Sequence, residues 1–273
     1  MAIKLFVTDL DGTLLPTQAT VSEGNIRAVQ DAVAAGVTVT IATGRMYRAA
    51  LPVAQALGVN VPIITYNGAL IKTVDGNVIY RSCLEPSLVV EILDFCESRG
   101  WYVQSYSRDS LHYPEHTELS DQYEKSQLVT GEAVGWDGMR EITEETPKLL
   151  CIAPRPEEAE ERVKALSEHF AGRLEVFRSS PRYIELVRIG VSKAAAVTLL
   201  AERMGITKDE VMAIGDGNND IPMLQAAGKS VAMGNAIPEV KAVCDYVTGD
   251  CLEDGFADAI YRYVLEKNYT GNR

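Results

Sequence analysis

Ile3-Lys4-Leu5-Phe6-Val7 is a short, largely apolar run that leads into Asp9-Leu10-Asp11-Gly12-Thr13. The run reads as a buried β-strand, and the polar cluster behind it as the turn by which the chain leaves the sheet. Ser22 then stands where it can cap a helix. Its apolar positions Ile26, Val29, Ala32 and Val33 keep helical spacing, and Gly36 is its stop. Val37-Thr38-Val39-Thr40-Ile41-Ala42 is β-branched and strand-like, a second helix runs to Gly58, and 61–65 is a further apolar run. Short apolar strands separated by helices are the pattern of a parallel sheet covered on both faces. Segments 69–74 and 77–81 flank Asp75-Gly76 and predict a hairpin with a two-residue turn.

Beyond Cys83 the pattern changes. A helix over 87–98, a strand over 101–107, a long polar stretch, a strand over 148–153, an acidic helix over 157–170 and a strand over Leu174–Arg178 are predicted. Both tryptophans fall in this region. The parallel-sheet pattern then returns. It comprises a helix over 194–204, a strand over 211–214, a helix after Asn219, a strand over 230–233 and a last helix over 255–266. The expected fold is α/β: a Rossmann-like parallel-sheet core of residues 1–82 and 183–273, with an α+β domain of residues 83–182 inserted into it.

The chain has 273 residues, 26 Lys+Arg against 38 Asp+Glu, and a formal charge of −12. That length supports one or two domains with cores needing no covalent staples. No basic run of five or more exists to displace counterions from a nucleic acid or to meet an anionic membrane, so neither is an expected partner. The five cysteines, Cys83, Cys96, Cys151, Cys244 and Cys251, are scattered and odd in number, the pattern of free thiols in a reducing compartment. The N-terminal apolar run is too short for a signal-peptide core, and no later run approaches 18 apolar residues. A cytoplasmic protein is expected. Asn268-Tyr269-Thr270 matches a glycosylation sequon but carries no weight without a secretory signal.

Open α/β sheets bind ligands beyond the carboxyl ends of their strands. Four predicted strand ends carry Asp9-Leu10-Asp11-Gly12-Thr13, Thr43-Gly44-Arg45, Asn67-Gly68 and Gly215-Asp216-Gly217-Asn218-Asn219-Asp220. Asp9 and Asp11, two apart, can face one side before Gly12 turns the chain, and Asp216 and Asp220 can arrive beside them. Several carboxylates in one crevice repel unless a cation neutralises them. A hard, oxygen-ligated ion such as Mg²⁺ fits, and Mg²⁺ commonly takes phosphate oxygens as its remaining ligands. Aspartates beside glycines are also ordinary turn formers, a reading that weakens when all of them fall on strand ends of one sheet.

Three other patterns are coincidences. Asp216–Asp220 begins like a calcium loop, but Ile221 and Ala227 stand where its glycine and glutamate belong. Gly215-x-Gly217-x-x-Asp220 puts a charge where a dinucleotide loop needs glycine. His112-x-x-x-His116 is broken by Pro114 and is expected in an exposed loop.

Asp9-Leu10-Asp11-Gly12-Thr13, Thr43-Gly44-Arg45, Lys193 and Gly215-Asp216-Gly217-Asn218-Asn219-Asp220, in that order, resemble the four motifs of the haloacid dehalogenase-like phosphatases. With Asn67-Gly68-Ala69 and Glu253-Asp254-Gly255, the chain is similar to the Cof-type sugar-phosphatase branch over essentially its whole length. Ala194 departs from the glycine that Cof-type sequences usually place after the lysine. The resemblance implies that Asp9 attacks phosphorus and becomes an aspartyl-phosphate, and that Asp11 protonates the leaving alkoxide and then deprotonates water. It implies Mg²⁺ held by Asp9, the Asp11 carbonyl and Asp216, with Asp220 behind them or joined through a water. Thr43, the Gly44 amide, Lys193 and Asn219 would hold the phosphoryl oxygens. Arg45 and Asn67 would contact the substrate, and the inserted domain would be a cap that closes over the site. The expected partner is a small phosphorylated metabolite. Two alternatives stay open: a phosphotransferase or mutase using the same intermediate, and a regulator that binds phosphometabolites without turnover. Cap specificity and oligomeric state have no readable signal.

Overall fold

Leu5-Phe6-Val7-Thr8 is buried at every position, as a strand must be when helices cover both faces of its sheet. The computed structural model describes residues 2–16, 20–59 and 61–267; the sequon at 268–270 lies outside the described residues. Leu5–Thr8 is the central strand of a five-stranded parallel sheet. The order is Tyr246–Val247, Lys229–Ala232, Val211–Gly215, Leu5–Thr8 and Thr38–Ile41. Thr8 lies opposite Ile214 on one side and Ile41 on the other. That register brings the segments after all three strands to one sheet edge.

The helices begin where the sequence provides caps. Ser22 Oγ accepts the Asn25 N–H at 3.1 Å ahead of Glu23–Ala34, and Ser192 Oγ accepts the Ala195 N–H at 3.1 Å ahead of Lys193–Arg203. Helix Gly255–Ala259 ends early and continues as the wider turn Ile260–Val264, so the last element is not the single α-helix expected.

Ile63–Thr65 departs from the expected parallel pattern. It pairs antiparallel with Leu70–Lys72, and Val78–Arg81 completes this separate three-stranded sheet. One bridge, Ala42 to Ile64, joins it to the parallel sheet. Pro62 has no N–H to extend that ladder, and its carbonyl is taken by Thr40 Oγ1 at 2.7 Å. The hairpin turn is longer by one residue than predicted: Thr73 pairs with Asn77 across Val74-Asp75-Gly76, with Gly76 at φ +99°. A left-handed third residue is what such a loop requires.

Two compact units result. The first holds Met1–Gly44, Ala50–Ile79 and Ser192–Arg273, and the second holds Arg45–Ala49 and Tyr80–Val191. The second is built on a six-stranded, mainly antiparallel sheet. Its order is Leu174–Arg178, Tyr183–Arg188, Lys148–Ile152, Val103–Ser105, His112–Tyr113 and Glu132–Ala133. Helices Pro86–Glu97 and Pro156–His169 supply Val89, Ile92, Leu93, Phe95, Ala159 and Leu166 to a core with Val103, Leu149, Ile184 and Leu186. The chain is thus α/β with an additional α+β sheet domain of the cap type. Tyr183–Arg188 pairs on both sides inside this second sheet, so the return to the first unit comes at Ser192, later than residue 183. The long polar stretch holds two short strands and helices Glu118–Gln127 and Gly135–Glu141. His112 is accordingly a buried strand residue and not part of an exposed loop. No helix among the described residues is long and apolar enough to cross a membrane.

Candidate active site

Asp9 is the first residue beyond the central strand. Its N–H still donates to the Ile214 carbonyl at 3.1 Å, and the residue is 6% exposed. Helix Lys193–Arg203 starts with the lysine, which is 1% exposed, not solvated as first-turn lysines usually are. Its Nζ donates to Asp9 Oδ1 at 2.5 Å and to Asp220 Oδ1 at 2.6 Å. The other oxygen of Asp220 accepts the N–H groups of Asp216 and Gly217, each at 3.0 Å. Asp220 therefore fixes the turn after Val211–Gly215 and joins it to the lysine.

Asp216 is held from the first strand end, where Thr13 Oγ1 donates to its Oδ1 at 2.8 Å. Gly12 makes this approach possible. Its φ is +81°, and a Cβ there would lie 2.3 Å from Asp216 Oδ2. The Gly12 carbonyl accepts from Asn235 Nδ2 at 2.7 Å. Asp11 is exposed in the same turn.

The second and third strand ends are tied together. The Thr43 N–H donates to the Ile64 carbonyl at 2.9 Å, and the Thr43 carbonyl accepts the Asn67 N–H at 2.9 Å. Asn67 is buried in the left-handed region, φ 55°, and its Oδ1 accepts from Asn219 Nδ2 at 3.2 Å. Its Nδ2 has no hydrogen-bond partner; a buried donor left so costs about 1–3 kcal/mol.

Asp9, Asp216 and Asp220 offer carboxylate oxygens within 4.8 Å of one another. Burial, then Asp220, Asp216 and Asp11, push the Asp9 carboxyl well above the usual range against the pull of Lys193. Burial and Asp220 raise Asp216 to about 6, opposed by Thr13 and Lys193. Burial would depress the Lys193 ammonium, yet Asp220 and Asp9 hold it above the ordinary lysine range. Three ionised carboxylates against one ammonium leave two negative charges, which is what a divalent, oxygen-ligated cation offsets. The donor set fits such an ion.

Of the residues singled out from sequence, Asp9, Lys193, Asp216 and Asp220 form one cluster with Asp11 in the adjoining turn, and Thr43, Gly44, Asn67 and Asn219 form a second, linked group. Arg45 belongs to the second unit and is buried there. Thr13 and Asn235 are additional. Thr13 lies two residues past Asp11 in the same turn, and Asn235 follows strand Lys229–Ala232, so the strand-end rule reaches both.

The model of the haloacid dehalogenase-like hydrolases matches residues 6–260. The chain belongs to that family. It is a Cof-type member and a phosphoric monoester hydrolase. The 5-amino-6-(5-phospho-D-ribitylamino)uracil phosphatase YcsE of Bacillus subtilis (strain 168) is 33% identical over 264 residues, covering 96% of this chain and 96% of the relative. A haloacid dehalogenase-like hydrolase from Bacteroides thetaiotaomicron superposes with a TM-score of 0.85 at 30% identity, over 95% of this chain and 99% of the other. A subclass IIB sugar phosphatase superposes with a TM-score of 0.82 at 28% identity, over 95% and 98%.

Proposed function

We propose that this haloacid dehalogenase-like protein hydrolyses small phosphomonoesters of the sugar-phosphate kind, with Mg²⁺, through an aspartyl-phosphate on Asp9. The observation that carries the reading is the buried Asp9 carboxylate beside the Lys193 ammonium, at the end of the central strand. An oxygen of Asp9 attacks phosphorus, and the P–O bond to the leaving group breaks. Asp11, protonated in this half-reaction, gives its proton to the departing alkoxide. It then takes a proton from water, which attacks phosphorus, releases phosphate and restores the Asp9 carboxylate.

Thr43, the Gly44 amide, Lys193 and Asn219 hold the phosphoryl oxygens where charge builds. Lys193 has a second task, keeping Asp9 ionised as the nucleophile. Asp9, the Asp11 carbonyl and Asp216 would hold the Mg²⁺, with Asp220 behind them, anchoring Lys193 and the 216–217 amides. When bound, the ion neutralises the carboxylates and draws charge from the phosphoryl oxygens. Arg45 and Asn67 contact the substrate. The names of the relatives, a phosphoribitylamino-uracil phosphatase and a sugar phosphatase, support a phosphate carried on a sugar or sugar-alcohol hydroxyl. Five free cysteines support a cytoplasmic setting.

The test is Asp9→Asn assayed with p-nitrophenyl phosphate and Mg²⁺. Loss of turnover by about 10⁴-fold or more is expected for a removed nucleophile. Substantial residual hydrolysis would sink the mechanism, and a wild type inactive on a broad panel of phosphorylated metabolites would favour a binding protein.

A further inference from the structure

Asn67 carries the one unmet buried side-chain donor of the first unit among the described residues. The residue is 2% exposed. Its amide oxygen accepts from Asn219 Nδ2 at 3.2 Å, and its backbone N–H is held by the Thr43 carbonyl at 2.9 Å. Flipping the amide would not help, because it would set two NH₂ groups against each other. The amide lies flat over Gly44, where a Cβ would stand 3.1 Å from Oδ1 and 3.2 Å from Nδ2. Tyr66 and Asn67 are consecutive non-glycine residues with φ of 53° and 55°. Such backbone persists when its surroundings fix it, and it gathers at ligand sites. A buried N–H held this firmly, beside Thr43, Gly44 and Asn219, needs an acceptor that arrives with the ligand.

We infer that Asn67 Nδ2 donates to an oxygen of the transferring phosphoryl group itself, with Asn219 orienting the amide, and does not read the leaving group. This rests on the phosphatase reading above and deepens it by moving Asn67 from substrate selection to the phosphoryl site. An uncharged donor suits this place, since Lys193 already supplies the local positive charge.

The experiment measures binding of inorganic phosphate and orthovanadate to the full-length protein with Mg²⁺, alongside turnover of p-nitrophenyl phosphate and of a hexose phosphate. Asn67→Gly keeps the left-handed backbone without strain and removes the amide. Asn67→Asp keeps the shape and the acceptor for Asn219 but replaces the donor with a carboxylate. Both variants are expected to bind phosphate and vanadate about 10-fold or more weakly. Both should lose about 10²-fold in kcat/KM by the same factor on the two substrates, the size seen when one preorganised donor is removed. Unchanged phosphate affinity in either correctly folded variant, or losses that differ between leaving groups, would overturn the inference. A wild type that binds neither anion would overturn it as well. A wild type that binds phosphate without hydrolysing esters would count against the phosphatase reading alone, because the binding arm still tests Asn67.

Discussion

Lys193 Nζ lies 2.5 Å from Asp9 Oδ1, with both side chains out of contact with bulk water. Neither group would keep its charge there alone. Asp220, 2.6 Å from the same Nζ, makes the lysine the hub of the cluster, so removing the ammonium leaves carboxylates facing one another in a dry site. Lys193→Met should lower kcat by about 10²-fold or more. It should also destabilise the protein by about 3–5 kcal/mol, the usual cost of breaking a buried pair from one side. Calorimetry without divalent cations reads the second effect; a variant melting with the wild type would show that the lysine is not what neutralises the cluster.

The same charge count predicts a response to metal. Wild type should melt several degrees higher in millimolar Mg²⁺ than in EDTA. An ion at 100 times its Kd contributes about 2.7 kcal/mol, and each kcal/mol moves a protein of this size by about 2–4 °C. Asp216→Asn removes one charge from the cluster and should shrink the shift. An equal shift in the variant would place the ion elsewhere.

Gly12 and Asp216 are in contact across two strand-end turns, and Gly12→Ala tests whether that contact builds the site. The methyl group would meet Asp216 Oδ2 at 2.3 Å, on a backbone whose φ of +81° already disfavours alanine. The carboxylate has to move and lose the Thr13 hydroxyl. Loss of the Mg²⁺ melting shift together with at least about 1 kcal/mol of stability is the expected outcome. Isothermal titration with Mg²⁺ would reveal the contrary result, unaltered binding.

The four strand-end clusters were legible in the sequence because a parallel sheet delivers its loops to one edge whatever its sides look like. Ser22, Gly36 and the β-branched 37–42 run each state a local preference that the fold then obeys. Tyr183–Arg188 misled for a physical reason. Four of its six residues are fully buried, and such a run fits an antiparallel strand between two neighbours as well as a parallel one. Only its long-range pairing with Lys148–Ile152 and Leu174–Arg178 decides, and periodicity does not carry pairing. The two-residue strands His112–Tyr113 and Glu132–Ala133 are too short to have a period at all. Asn235 reaches Gly12 by a contact spanning 223 positions, which no local pattern announces.

Glu210 gives a pH dependence whose sign can be fixed. Its Oε1 lies 2.6 Å from Lys4 Nζ, and its Oε2 accepts the Thr207 N–H and hydroxyl at 2.9 and 2.8 Å. The Lys4 contact first, then Thr207, lower its carboxyl from the ordinary 4.5 to about 2. A carboxyl depressed by folding stabilises the fold fully above its unfolded value and loses that contribution as pH falls through its folded value. Glu210→Gln should therefore melt below wild type at pH 7, with the gap closing between pH 4.5 and about 2. A gap independent of pH would mean that the Thr207 turn is held by shape and not by charge.

Lys148 and Glu185 pose the corresponding question in the second unit. Lys148 Nζ donates to Glu185 Oε2 at 2.8 Å, and the two side chains are 2% and 4% exposed. Neighbouring groups complete the arrangement: Ser179 Oγ donates to Glu185 Oε1 at 2.8 Å, and the Tyr106 ring lies 4.8 Å from the ammonium. Desolvating two charges opposes their attraction, so the pair need contribute little net stability while each member remains costly to remove alone. Glu185→Leu should destabilise by about 3–5 kcal/mol, because it leaves a buried ammonium without its counter-charge. Adding Lys148→Met removes that charge, and the double variant should recover most of the loss. Urea unfolding of the four-member cycle measures the coupling. Additive losses in the double variant would show that the two residues act through packing, each on its own.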